Sequence, residues 1–150
     1  MSERTYAIEL TIPDNTAFTA LVTLQRLGIP CDEVRRAEIY TFDVDAAHAG
    51  ELDASIRQIE TIFNPNKHVL RLREAHPEPG EVWIADRDEA PAADSENGLR
   101  IAGRLLAGVR SLRRRTAWRL RKDGRDVSEN VLATAVDGLL CNPAFQKAIR

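Results

Sequence analysis

The stretch "LLCNPAFQKAIR" (139–150) ends the chain with a helical last turn, an Asn-Pro stop and a short tail, and "IFNPNKHVLRL" (62–72) has the same shape in mid-chain. Proline lacks a backbone N–H and disfavours helix at the residue before it, so Asn64-Pro65 and Asn142-Pro143 each end a helix and turn the chain. Asn142 follows Asn64 by 78 positions in a chain of 150 residues, close to half its length. That is the spacing a tandem duplication leaves. The pair of stops therefore decides the fold reading: two copies of one supersecondary unit.

The elements around the first stop agree. "TYAIELTI" (5–12) alternates as a strand, with Tyr6, Ile8, Leu10 and Ile12 on one face. "PDN" breaks it, Asp14 or Asn15 can cap the next helix, and "TAFTALVTLQRLG" has helical spacing up to Gly28. "EVRRAEIYTFDV" returns to a two-residue rhythm. "AAHAGELDASIRQIETIF" restores helical spacing through Leu52, Ile56, Ile59 and Phe63, and the helix is expected to end by Asn64. "HVLRLR" closes the unit as a strand, giving β-α-β-α-β.

"EAHPEPG" punctuates the middle. The expected organisation is unit 1 over 1–75, a linker at 76–80, and unit 2 over 81–150 with an acidic loop at 86–97. In the second unit "EVWIA" reads as a strand and "LRIAGRLLAGVRSL" as a helix. "RTAWRLR" reads as a strand, and "DVSENVLATAVDGLL" as a helix capped by Ser128. The expected class is α+β.

Composition supports a folded, soluble protein: 43% hydrophobic, 29% charged, net charge −2. No apolar run approaches the roughly 20 residues of a membrane span, and the charged start reads directly into a strand and not as a signal peptide. With two isolated cysteines and no CxxC, the expected location is cytoplasmic. Cys31 sits beside acids, which raise a thiol pKa. His48, His68 and His76 have no metal-ligand spacing and read as surface or rim residues. No phosphate cradle, nucleophile–base pair or metal cluster emerges, so no catalytic residue, cofactor or metal is expected.

The local anomaly is charge. From Gly98 to Lys122 the chain has Arg and Lys but no acid. Arg113, Arg114, Arg115, Arg119 and Arg121 are the candidate partner-binding residues, for an acidic protein surface or for nucleic acid phosphates. Alternation puts Trp118 on the face of Leu120, the side of the core. Against a partner stands the reading in which the acidic loop folds back and neutralises this face.

The segments "VDGLLCNPAFQ" (136–146), "ETIFNPNKHVLRL" (60–72) and "ALVTLQRLGIPCDEVRRAEIYTFDV" (20–44) resemble PurS, the small subunit of bacterial and archaeal phosphoribosylformylglycinamidine synthase. The chain departs from that family at the start of its first helix, where "PDNTAF" stands. The resemblance implies two fused PurS-like units of ferredoxin-like relation, closed as an intramolecular pseudo-dimer. It implies a non-catalytic accessory role in purine biosynthesis, with the synthetase and glutaminase subunits as partners and homo-oligomers as a further option. Fusion would keep the two units at high effective concentration. A nucleic-acid-binding module using 100–122, and a ligand-sensing ferredoxin-like regulator, are the alternatives.

Overall fold

The structure is a computed structural model that describes residues 2–89, 92–93 and 97–150. Its elements are β1 (Ser2–Leu10), α1 (Asn15–Arg26), β2 (Glu33–Val44), α2 (Leu52–Arg57), β3 (His68–Arg73) and β4 (Glu81–Asp86). They continue with β5 (Ala92–Ala93), β6 (Gly98–Ile101), β7 (Arg104–Ala107), β8 (Val109–Lys122), β9 (Arg125–Asp126), α3 (Glu129–Ala135) and β10 (Gln146–Ile149). The class is α+β. The pairs β1–β3, β4–β10, β4–β8, β5–β8, β6–β7 and β8–β9 are antiparallel. No helix among the described residues is long and apolar enough to cross a membrane.

Two compact units form, and each draws segments from both sequence halves. The first comprises Met1–Ile12, Ile39–Ala75 and Ala90–Arg114; the second comprises Pro13–Glu38, His76–Glu89 and Arg115–Arg150. The long strands β2 and β8 contribute one part to each.

In the first unit the strand order is β8-β2-β1-β3, with β5 on the other side of β8. The Asp45 N–H donates to the Gly108 carbonyl at 2.9 Å where β2 leaves β8. Tyr6, Ile8, Tyr40, Phe42 and Val44 alternate inward at period two and meet Leu52, Ile56, Ile59 and Phe63. The helix, expected to end by Asn64, stops already at Arg57. Beyond it Ile59 and Ile62 donate back three residues, to Ile56 and Ile59, so tighter turns keep the apolar stripe on the core.

The helix expected over 99–112 does not form. That segment forms the β6–β7 hairpin and the start of β8. Ala102 (φ 51°) and Gly103 (φ 80°) are both left-handed at its tip, the pair a two-residue hairpin turn requires. Gly103 and Gly108 would each cost a helix here about 1 kcal/mol. Leu99, Leu106 and Val109 enter the core all the same. Their spacing suited a helix, but backbone chemistry favoured the hairpin.

In the second unit the order is β10-β4-β8-β2, with β9 beside β8. Here the Asp32 N–H donates to the Arg121 carbonyl at 2.9 Å. Val82, Ile84 and Leu120 face Leu24 of α1 and Leu132 and Ala135 of α3. Asp14 caps α1 by accepting the Ala17 N–H at 3.1 Å, and Gly28 (φ 80°) lets the chain leave it. Ser128 caps α3 by accepting the Val131 N–H at 3.3 Å. Past α3 the backbone widens into a π turn over Val136–Leu140, closed by the Cys141 N–H on the Val136 carbonyl at 3.2 Å. On the other face of β4, Trp83 is fully buried opposite Ala117 and donates its indole N–H to Glu81 at 3.0 Å.

The two Asn-Pro turns share one hydrogen-bond set. In the first, Asn64 accepts at its carbonyl from Lys67 (3.0 Å) and His68 (2.8 Å), and at its side chain from Asn66 (2.9 Å). In the second, Asn142 accepts at its carbonyl from Phe145 (3.0 Å) and Gln146 (2.8 Å), and at its side chain from Ala144 (3.1 Å). A fourth bond runs from the Asn64 N–H to His68 Nδ1 (2.8 Å) and from the Asn142 N–H to Gln146 Oε1 (2.9 Å). The strands delivered by the turns dock alike. Leu10 faces His68 and Thr11 N–H donates to Lys67; Asp86 faces Gln146 and Arg87 N–H donates to Phe145. Asn64, Pro65, Asn142 and Pro143 thus hold the chain's turns and not a reactive group.

Candidate partner-binding surface and ligand cleft

The arginines of β8 divide into two sets. In the second unit Arg115 is mostly buried and forms a two-pronged pair with Glu89, Nε at 3.0 Å and Nη2 at 2.8 Å. Arg119 pairs with Glu78 at 2.7 Å and lies 3.9 Å from buried Glu81. Arg121 sits 3.3 Å from Asp126, facing it across β8 and β9, although the angle makes this an ion pair without a hydrogen bond. Glu89 belongs to the acidic segment 86–97, so the described start of that segment does fold back onto β8. Residues 90, 91 and 94–96 of it lie outside the described residues.

In the first unit the picture reverses. Arg113 and Arg110 are exposed on β8, and Arg104 is exposed beside the hairpin tip. Arg114 is exposed too and lies over the Tyr40 ring at 5.2 Å, a contact that orders the guanidinium without neutralising it. Of the five arginines singled out by sequence, Arg113 and Arg114 remain exposed, and as successive residues of β8 they point to opposite faces of the sheet. Arg115, Arg119 and Arg121 are spent on internal pairs, which weakens the reading of 100–122 as one continuous phosphate grip.

The titratable groups have local partners. His48 Nδ1 lies 2.7 Å from Asp45 Oδ1, and this hydrogen bond holds the Asp45 carboxyl below the usual range. Gly108 passes so close that a Cβ there would stand 2.5 Å from His48 Nδ1. Burial pushes the Cys31 thiol up, with Asp32 adding to it. Burial also lowers the His68 pKa, as befits a ring whose Nδ1 accepts a backbone N–H. No group of three or more His, Cys, Asp or Glu able to hold a metal occurs among the described residues.

A cleft of about 450 Å³ opens in the second unit. One wall is a polar row on α1, Asn15, Thr16, Thr19 and Thr23, and the other is Trp118 with Leu139 of the π turn. Trp118 is half-buried and packs on the helix-side core, as its alternation with Leu120 required. The Arg36 guanidinium lies 5.9 Å from the Trp118 ring centroid and is itself held by Asp14 at 3.1 and 3.3 Å. The row on α1 escaped sequence reading because its residues are common on any exposed helix face. The signal was their spacing: positions 15, 19 and 23 recur every four residues, on one side of the helix.

Comparison with models of protein families finds no match to this chain, and neither does comparison with curated proteins.

Proposed function

We propose that the protein is a non-catalytic, PurS-like accessory subunit: a tandem duplicate whose two repeats are closed in one polypeptide and which bridges partner proteins. The observation that carries the reading is the agreement of the two Asn-Pro turns in all four hydrogen bonds and in the register of the strands they deliver. A shared element order alone is a weak sign of duplication. The same side-chain and backbone acceptors at one fixed offset are a stronger one.

The "Leu-Leu-x-Asn-Pro" ending of the second repeat (139–143), matched more loosely by Ile62-Phe63-Asn64-Pro65, is what resembles the PurS family. On this reading the partners are the ATP-using synthetase and the glutaminase of purine biosynthesis, and the contact is electrostatic. Arg104, Arg110 and Arg113 on the first unit present cations to an acidic protein surface, while Arg114, on the other side of β8 from Arg113, lies over Tyr40. Arg is a favoured interface anchor because its fork makes paired hydrogen bonds with carboxylates.

Co-purification of the tagged protein with the synthetase and glutaminase of its host tests the proposal. Retention of both, with loss on joint Arg110→Glu and Arg113→Glu substitution, is the expected result. Retention of neither by the folded wild-type protein would refute it.

A further inference from the structure

We propose that the cleft between α1 and the π turn is a binding site for an uncharged ring compound with hydrogen-bonding groups on its rim. This goes beyond the accessory role and does not depend on it. Three observations converge. At about 450 Å³ the cleft is within the usual size of small-molecule sites. Its lining pairs an aromatic ring, Trp118, with the polar row of α1, the mixture that stacks a ring and reads its edge. And the last turn of the α3 helix is widened into a π turn at this place, leaving Leu139 40% exposed at the rim. Such turns cost regular helix bonding and are frequent at functional sites.

The hydrogen-bonding capacity of the row is unspent. Thr23 donates its hydroxyl to the Thr19 carbonyl at 2.9 Å, but the side chains of Asn15, Thr16 and Thr19 make no hydrogen bond among the described residues. They offer a carboxamide and two hydroxyls, each able to donate and accept. Charge is excluded from the site by its composition. No lining residue is ionisable, and Asp14, which precedes Asn15, and Arg36, which lies over Trp118, are committed to each other. A ligand with a formal charge would gain no partner here and would lose hydration. Asp14 and Arg36 act as positioning residues: Asp14 starts the helix that carries the row, and Arg36 lies against the Trp118 ring.

A planar heteroaromatic ring with amino and carbonyl groups and a saccharide ring with hydroxyls share this chemistry. Isothermal titration calorimetry of the full chain with adenosine and with methyl glucoside separates the two sources, with AMP as the charged control. The expected result is saturable binding of at least one neutral probe. That binding is weakened in Trp118→Phe, whose smaller ring stacks over less area, and weakened about tenfold in Thr19→Val, the effect of one hydrogen bond to an exposed hydroxyl. The chain has two tryptophans and Trp83 is fully buried, so a fluorescence change on binding reports Trp118. Circular dichroism of both variants verifies that they fold, and Thr19→Val, at an exposed position, keeps the test open if Trp118→Phe does not. Binding of neither neutral probe, binding unchanged in a folded variant, or AMP binding more than tenfold tighter than adenosine would each overturn the proposal.

Discussion

The two units fill one structural place with different elements. In the second unit α1 and α3 cover the sheet; in the first, α2 is joined by the β6–β7 hairpin. Leu24 from the helix and Leu106 from the hairpin are each almost completely buried. What the sheet requires is an apolar stripe of adequate area, and either period can deliver it. The left-handed pair Ala102 and Gly103 decides which period is used.

Core truncation gives the largest effects. Leu24→Ala and Leu106→Ala should each cost about 2–5 kcal/mol in urea unfolding, because both leave a cavity. If Leu106→Ala proves nearly neutral, the hairpin is a peripheral flap and the equivalence of the two coverings breaks. Gly98→Ala sharpens the same comparison. Gly98 has φ 139°, and an added Cβ would stand 2.2 Å from the Leu106 carbonyl oxygen. The expected cost is about 1–3 kcal/mol, with loss of amide protection confined to β6 and β7 in hydrogen exchange.

The two parts of β8 make the next comparison. Arg115→Ala removes a mostly buried, two-pronged partner of Glu89 and should cost about 1.5–3 kcal/mol. Arg113→Ala, on the exposed part, should stay within about 0.5 kcal/mol and act on partner binding alone. Equal losses of stability would show that the open face of the first unit is structural.

The smallest effect separates the two turns. His68 and Gln146 accept the same backbone bond, but only His68 titrates. Its pKa is lowered from 6.5, mainly by burial, so the unfolded chain binds the proton more readily than the folded one. The stability its neutral ring contributes is complete above that value and declines as pH falls through the folded pKa. His68→Gln should flatten the pH dependence of stability below about 6.5. An unchanged profile would show that His68 carries no part of it.

Much of this was legible in the chain. The alternation of Tyr6 and Ile8, the caps at Asp14 and Ser128, and the turns at both Asn-Pro pairs are local signals, and local chemistry realised them, although only Asn142-Pro143 directly follows a helical turn. The hairpin was not, because Leu99, Leu105 and Leu106 fit both periods and only the left-handed pair at 102–103 resolves them. The division of the arginines was also hidden: Glu78 and Glu89 lie 41 and 26 positions from the residues they neutralise. Residues such as Thr16 and Thr19 carry no signal until Trp118 is brought opposite them.

Cutting the chain in the 76–80 segment is the decisive experiment, because each compact unit is assembled from both sequence halves. Residues 1–75 and 81–150 would be expressed separately and mixed, with far-ultraviolet circular dichroism and tryptophan fluorescence followed against concentration. Neither half should be a folded monomer, and an equimolar mixture should regain the spectrum and cooperative unfolding of the intact protein. A cooperatively folded monomer formed by either half alone would contradict the shared assembly of the two units.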